Sequence, residues 1–387
     1  MSFDDGGIDA LLAGAVRDGA VSGVCASVVD RERVLYDGCA GEARSDTLFA
    51  NMSLTKALAS VGALQLIEQG RLELEAPVES ILPEFAQLQV LDGFDGDQPR
   101  LRAPASRATV RQLMTHTSGC GYTFMNADLH RYAQLTGAPD LLTGRRASLM
   151  GPLARDPGTL WEYGVSTDWL GLVVEAVSGQ TLDVYLREHL FGPLGMRETT
   201  FSPSAEQASR LPPLRLRGAD GGLAPLDLPS PSEPEWFSAG HGSFGTIGDY
   251  GRFIRAMLRD GELDGERVLG AEMVELAFSD HLRGVPLPSI LRSADPMLSN
   301  DVPSMPVPQG WGLGFHLVQT DVPGGRRSGT GDWAGLFNCY YWIDRAAGIG
   351  GALMTQVLPF FDLRTVQLLL GLEAAAYSQV GAAAPAR

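Results

Sequence analysis

Asn51-Met52-Ser53-Leu54-Thr55-Lys56 holds the only lysine in the 387-residue chain, three places after a serine. Every other basic side chain is arginine, 29 in all. A guanidinium keeps its proton near neutral pH, whereas an ammonium that is partly desolvated or set beside another cation gives its proton up. Lysine is therefore the basic side chain that can relieve a neighbouring hydroxyl of its proton. In a helix, residues i and i+3 share a face with Cβ atoms about 5–6 Å apart, which brings the Lys56 amine within reach of the Ser53 hydroxyl. The spacing points to a serine nucleophile with its base. Alone, Ser-x-x-Lys is a short pattern that also fits a surface lysine near a capping serine; the uniqueness of Lys56 and two further motifs carry the stronger reading. The Ala- and Leu-rich run from Leu54 to Gln69 stops at Gly70, a C-terminal cap residue. Ser53 is thus expected to open a largely buried helix, where free N–H groups and the helix dipole favour developing negative charge.

Outward from this helix, the pattern predicts an amphipathic helix over 7–18 and then a β-hairpin, Gly23 to Val29 and Arg33 to Tyr36 around a polar turn. Near the other end, Asn338 to Asp344 and Gly348 to Val357 form a second hairpin pattern around Arg345-Ala346-Ala347, followed by a helix over about 362–377. Residues 110–200 read as mostly helical, with Thr181 to Leu190 the clearest case. Segments 202–235 and 283–310 are dense in Pro, Ser, Gly and Asp and read as irregular connections able to roof a pocket. No internal repeat is present. The expected fold class is α+β, an α/β sandwich: residues 1–50 and 236–387 build one antiparallel sheet flanked by terminal helices. Residues 51–235 form a mainly helical insertion carrying Ser53, Lys56 and Tyr163. A site would lie in the crevice between the two parts.

Acidic side chains outnumber basic ones 46 to 30, a formal charge of −16. That balance argues against nucleic acid and anionic membranes as partners, since both require a positive footprint. The acidic start Met1-Ser2-Phe3-Asp4-Asp5 lacks the basic and apolar regions of a signal peptide, and no apolar run approaches the roughly 20 residues of a membrane span. A cytoplasmic location is expected. Cys25, Cys39, Cys120 and Cys339 show no Cys-x-x-Cys spacing and are expected to be buried free thiols. His130, His189, His241, His281 and His316 show no metal-ligand spacing, so no metal is expected, and no cofactor either. Gly240-His241-Gly242-Ser243-Phe244-Gly245 fits Gly-x-Gly-x-x-Gly, but the apolar strand a dinucleotide site needs before it is missing. No serine stands in Gly-x-Ser-x-Gly. The sequence assigns no oligomeric state.

Two motifs accompany Ser53 and Lys56. Trp161-Glu162-Tyr163-Gly164-Val165-Ser166-Thr167-Asp168 sets a tyrosine in a turn before an apolar helix, and Gly329-Thr330-Gly331-Asp332-Trp333-Ala334-Gly335-Leu336 offers small residues over which a ligand can approach the backbone. With Leu113-Met114-Thr115-His116-Thr117-Ser118-Gly119 and Gly310-Trp311-Gly312-Leu313-Gly314-Phe315, in this order, the chain resembles the serine β-lactamase and penicillin-binding protein superfamily. Within it, the resemblance is to family VIII carboxylesterases and related side-chain acyltransferases. In β-lactamases the second motif usually reads Tyr-x-Asn and the third Lys-Thr-Gly. Here they read Tyr163-Gly164-Val165 and Trp333-Ala334-Gly335, which points towards esterases.

The resemblance implies a small-molecule ester substrate and an acyl-Ser53 intermediate, with Lys56 and Tyr163 sharing the general base and acid roles. It implies an oxyanion hole from the backbone N–H groups of Ser53 and Leu336, or Asp332 if Gly329-Thr330-Gly331 takes the Lys-Thr-Gly register. Trp333, Gly335, Tyr122 and Trp311 are the expected pocket residues, and His116 is expected to be structural. Hydrolysis leads and acyl transfer to an alcohol or amine follows. A β-lactamase or D,D-peptidase is disfavoured by the missing third-motif cation and export signal, and a catalytically silent binding protein by the retained motifs.

Overall fold

Alternation of side chains along three strands explains how the chain builds two apolar layers around one sheet. The computed structural model describes residues 5–228 and 234–383. Its main sheet is antiparallel and contains β1 (Gly23–Asp30), β2 (Val34–Gly41), β3 (Gln309–Trp311), β4 (His316–Val318), β5 (Gly331–Gly335), β6 (Cys339–Asp344) and β7 (Ile349–Met354). The spatial order is β3-β4-β5-β6-β7-β1-β2. Val24, Ala26 and Val28 of β1, Tyr340 and Trp342 of β6, and Ile349 and Leu353 of β7 point to one face, where they meet Ile8, Leu12, Leu368, Leu372 and Ala376. Those partners lie on α1 (Gly6–Arg17) and on the C-terminal helix, Leu363–Ala383. Cys25 and Val29, Tyr341 and Ile343, and Ala352 and Met354 point the other way, into a larger core shared with the helices Thr55–Glu68, Ser166–Ser178 and Ile247–Leu258. This is the period-2 pleat covered on both sides, and it is why β1, β6 and β7 read as nearly continuous apolar runs.

The sheet thus joins the two ends of the chain, as expected for an α+β sandwich. The predicted hairpins and terminal helices are present, the second strand of the first hairpin continuing to Gly41 rather than Tyr36 and the C-terminal helix to Ala383 rather than about 377. The segment expected to be mostly helical is less so. A hairpin of Val90–Asp95 and Gln98–Arg102 precedes it, and 137–165 is irregular apart from single turns at Leu141–Thr143 and Arg146–Leu149. Pro139, Pro152 and Pro157 remove backbone donors there, and Gly137, Gly144 and Gly158 adopt positive φ, so a helix cannot propagate. Of the two expected connections, 283–310 is largely irregular, and its residues Leu287, Leu291 and Val302 line a cavity; residues 229–233 of the other fall outside the described part.

The thiol expectation is corrected in part. Cys120 and Cys339 are free and buried, but Cys25 and Cys39 form a disulfide. They stand directly opposite each other in the β1–β2 ladder, a proximity set by hairpin register and invisible in a separation of 14 residues. Among the described residues no helix is long and apolar enough to cross a membrane.

Candidate active site

Ser53 lies in a single 3-10 turn, Met52–Leu54, that runs into α2 (Thr55–Glu68). All but the end of α2 is buried, through Leu66, so its start is fixed against the core on every side. Met52 just ahead of Ser53 has φ +49°, the left-handed region that non-glycine residues rarely adopt. β5 presses on this turn: a Cβ on Gly335 would stand 2.5 Å from the Asn51 carbonyl oxygen. Only glycine permits that approach, and it fixes the end of β5 beside Ser53.

Five side chains converge here. Lys56 Nζ lies 2.9 Å from Ser53 Oγ, 3.0 Å from Tyr122 Oη and 2.7 Å from the Gly240 carbonyl oxygen. Tyr163 Oη lies 2.7 Å from Ser53 Oγ on the other side and receives the indole N–H of Trp333 at 2.9 Å. Lys56 is 2 % exposed, and its amine also sits against the rings of Tyr122 and Tyr163, 5.2 and 4.9 Å from their centres. The hydroxyl of Ser53 is therefore held between an amine and a phenol, each within hydrogen-bond distance. Burial, then the charge of Asp168 and the neighbouring Tyr163, push the Tyr122 phenol well above its ordinary value, so Tyr122 stays neutral and serves Lys56 as a hydrogen-bond partner.

A second tier holds the first. Asp168, on the helix Ser166–Ser178, is fully buried and accepts from Ser238 Oγ at 2.6 Å and from the Gly240 N–H at 2.9 Å. The carbonyl of Gly240 is thereby aimed at Lys56. A Cβ on Gly240 would come within 2.6 Å of the Asp168 carboxylate, so the close approach requires glycine. His116 is buried, and its ring packs edge-on against Trp161, Tyr163 and Trp311; desolvation, with the Lys56 charge adding, lowers its pKa well below the ordinary value.

The expected residues are placed as follows. Ser53, Lys56 and Tyr163 are brought together. Leu336 lies just past β5 and lines two cavities with Ser53, one of about 250 Å³ and one of about 290 Å³. Asp332, the alternative oxyanion donor, sits in mid-strand between β4 and β6 with its carboxylate on His316 at 3.0 Å and on Arg326. Burial alone would raise that carboxyl, but His316 and Arg326 hold it below the ordinary range. Trp311 and Trp333 line the first cavity and Tyr122 the second. Gly335, expected in the pocket, lines neither, because it is closed off against Asn51 and Met52. Trp333 is more than the apolar wall expected of it, since its N–H reaches Tyr163.

Sequence reasoning missed three contributions: the Tyr122 hydroxyl and the Gly240 carbonyl on Lys56, and the Asp168–Ser238 brace. The small-residue run Gly240 to Gly245 was a usable signal for close backbone approach. Among the described residues no group of three His, Cys, Asp or Glu side chains is arranged to hold a metal ion.

An antiparallel sheet covered by helices on both faces, with a buried Ser-Lys-Tyr cluster beside the end of its inner strand β5, defines a β-lactamase-like architecture. The chain belongs to the Beta-lactamase family, whose model matches residues 8–376. It is 32% identical over 364 residues to the monacolin J acid methylbutanoyltransferase of Aspergillus terreus, covering 86% of this chain and 83% of that protein. It is 30% identical over 381 residues to the lovastatin esterase of Penicillium rubens, covering 91% and 93% respectively. Among solved structures, a simvastatin synthase mutant from Aspergillus terreus superposes with a TM-score of 0.84 at 27% identity, over 97% of both chains. Esterases and acyltransferases are thus both among its relatives.

Proposed function

We propose that the protein is a serine carboxylesterase that cleaves small or medium esters through an acyl-Ser53 intermediate. The observation that carries this reading is the Ser53 hydroxyl held at 2.9 Å from the Lys56 amine and 2.7 Å from the Tyr163 phenol. Ser53 Oγ attacks the ester carbonyl while its proton passes into the Lys56–Tyr163 pair, and the pair returns a proton to the departing alcohol. Trp333 donates to Tyr163 and stabilises negative charge as it develops on the phenol oxygen. The backbone N–H groups of Ser53 and Leu336 hold the oxyanion; among the described residues neither donates to another backbone carbonyl. Each such donor contributes about 3 kcal/mol in comparable sites. Water then attacks the acyl-enzyme and releases the acid.

The test is p-nitrophenol release from a short-chain ester by the intact protein and by Ser53→Ala, with the intact mass recorded after brief mixing. A mass increase of one acyl group that is absent in Ser53→Ala supports the reading; turnover that survives the substitution refutes it. Acyl transfer is the second reading. It is favoured by the two cavities that meet at Ser53 and Leu336, which leave room for an acceptor beside a bound acyl group, and by the acyltransferases among the relatives. An acylated alcohol or amine product formed on adding acceptors distinguishes it from hydrolysis.

A further inference from the structure

His241 has no part in the chemistry above, yet it lines the second cavity beside Ser53. Its tautomer is readable from its neighbours. Ser238 Oγ gives its single proton to Asp168 Oδ1 at 2.6 Å, so towards His241 Nδ1, 2.7 Å away, it can only accept. The His241 backbone N–H, 3.0 Å from the same oxygen, reinforces that assignment. Nδ1 therefore carries the ring proton and Nε2 presents a lone pair. Nε2 has no hydrogen-bond partner among the described residues and is not among the sealed-off polar atoms, so it stays accessible on a side chain that lines the cavity. Burial keeps this imidazole neutral: it lowers the pKa, and although Asp168 works against it, Lys56 adds to the lowering. Among the described residues the cavity wall carries the carboxyl groups of Asp140 and Asp295 and no arginine or lysine. The cavity is thus furnished with acceptors for a ligand that brings hydrogen-bond donors.

We infer that His241 Nε2 accepts a hydrogen bond from a hydroxyl on the alcohol side of the ester, so that the second cavity selects hydroxyl-bearing alcohols over purely alkyl ones. This rests on the reading of Ser53 as the residue that takes the acyl group. Asp168 and Ser238 then serve twice: they aim the Gly240 carbonyl at Lys56 and fix the proton of His241. The neighbouring carboxylates turn away alcohols that carry an anionic group.

The experiment compares kcat/KM for two butyrate esters of matched shape, 2,3-dihydroxypropyl butyrate and 2-methylbutyl butyrate, in the intact protein, in His241→Phe and in His241→Gln. The ratio of dihydroxypropyl to methylbutyl ester is expected to fall about 10-fold in His241→Phe, as for loss of one hydrogen bond. In His241→Gln, which keeps an acceptor oxygen, it is expected to stay within about 3-fold. An unchanged ratio in His241→Phe overturns the inference, and so does an equal collapse in both variants. Should His241→Phe not fold, Ser238→Ala frees the Nδ1 proton with the ring retained, and the same ratio must fall. The same esters run with Ser53→Ala separate the layers: Ser53-dependent turnover with an unchanged ratio refutes only the His241 assignment, while turnover that survives Ser53→Ala refutes the acyl-Ser53 reading as well.

Discussion

Replacing Trp333 by Phe keeps an aromatic ring against Tyr163 and Trp311 but removes the N–H that reaches Tyr163 Oη at 2.9 Å. If Tyr163 only positions Ser53, the lost bond is neutral and worth about 1 kcal/mol; if negative charge develops on its oxygen, the bond is worth about 1.5–3 kcal/mol. At about 1.4 kcal/mol per tenfold, the second case predicts a fall in kcat/KM of about 10- to 100-fold, carried mainly by kcat because the bond strengthens only as charge forms. Steady-state hydrolysis of a p-nitrophenyl ester measures it, and the Tyr163→Phe background supplies the control. Trp333 acts through the phenol oxygen, so once that oxygen is gone Trp333→Phe has little left to remove, and the two losses do not multiply. A loss under about 3-fold, a change confined to KM, or fully multiplicative losses would refute the proposed line from Trp333 through Tyr163 to Ser53.

Lys56→Arg keeps the charge but not the ability to act as a base, and its amine site is closed by Tyr122 and the Gly240 carbonyl; ester hydrolysis should fall at least about 100-fold, and retention of most activity would reduce Lys56 to a fixed positive charge. His116 is held neutral in the fold by burial, whereas in the unfolded chain it takes up a proton below about pH 6.5. Below that pH the unfolded state binds the extra proton, so this residue makes stability decline on acidification by about 1.4 kcal/mol per pH unit. Urea unfolding at pH 7, 6 and 5 should show a shallower decline in His116→Asn, which tolerates the residue's φ of +55°; identical slopes would refute it. Removing the Cys25–Cys39 bond by Cys39→Ala should lower stability by up to about 3 kcal/mol, as for a loop near 15 residues, and a reductant should erase the difference from the intact protein. Equal stability without reductant would show that the β1–β2 ladder already supplies the constraint.

Sequence legibility followed the range of the interactions. The short apolar runs of β1, β6 and β7, bounded by turn residues, and the apolar faces of the terminal helices are patterns within short windows, so both hairpins and the helices flanking them could be read directly. Ser53 and Lys56 are three residues apart on one turn, and lysine's chemical necessity at that place marked it against an all-arginine background. The irregular stretch 137–165 was harder, because its proline and glycine breaks are spread among otherwise helix-forming residues.

The remainder of the site depends on which distant segments the packed core brings into contact. Tyr122 and Gly240 reach Lys56 across 66 and 184 residues, and Trp333 reaches Tyr163 across 170. No local period encodes such meetings; they follow from where β5, the helix carrying Asp168 and the Gly240 turn come to rest around α2. The same holds for Cys25 and Cys39, paired by hairpin register, and for His241, whose proton is fixed by Ser238 three residues before it and Asp168 far away in the chain. The sequence by itself therefore determined the layered fold and the Ser-x-x-Lys pair, because propensity, periodicity and side-chain chemistry act locally. Only the tertiary structure decided what surrounds that pair, because hydrogen bonds between remote segments exist once the core has set their distance and aim.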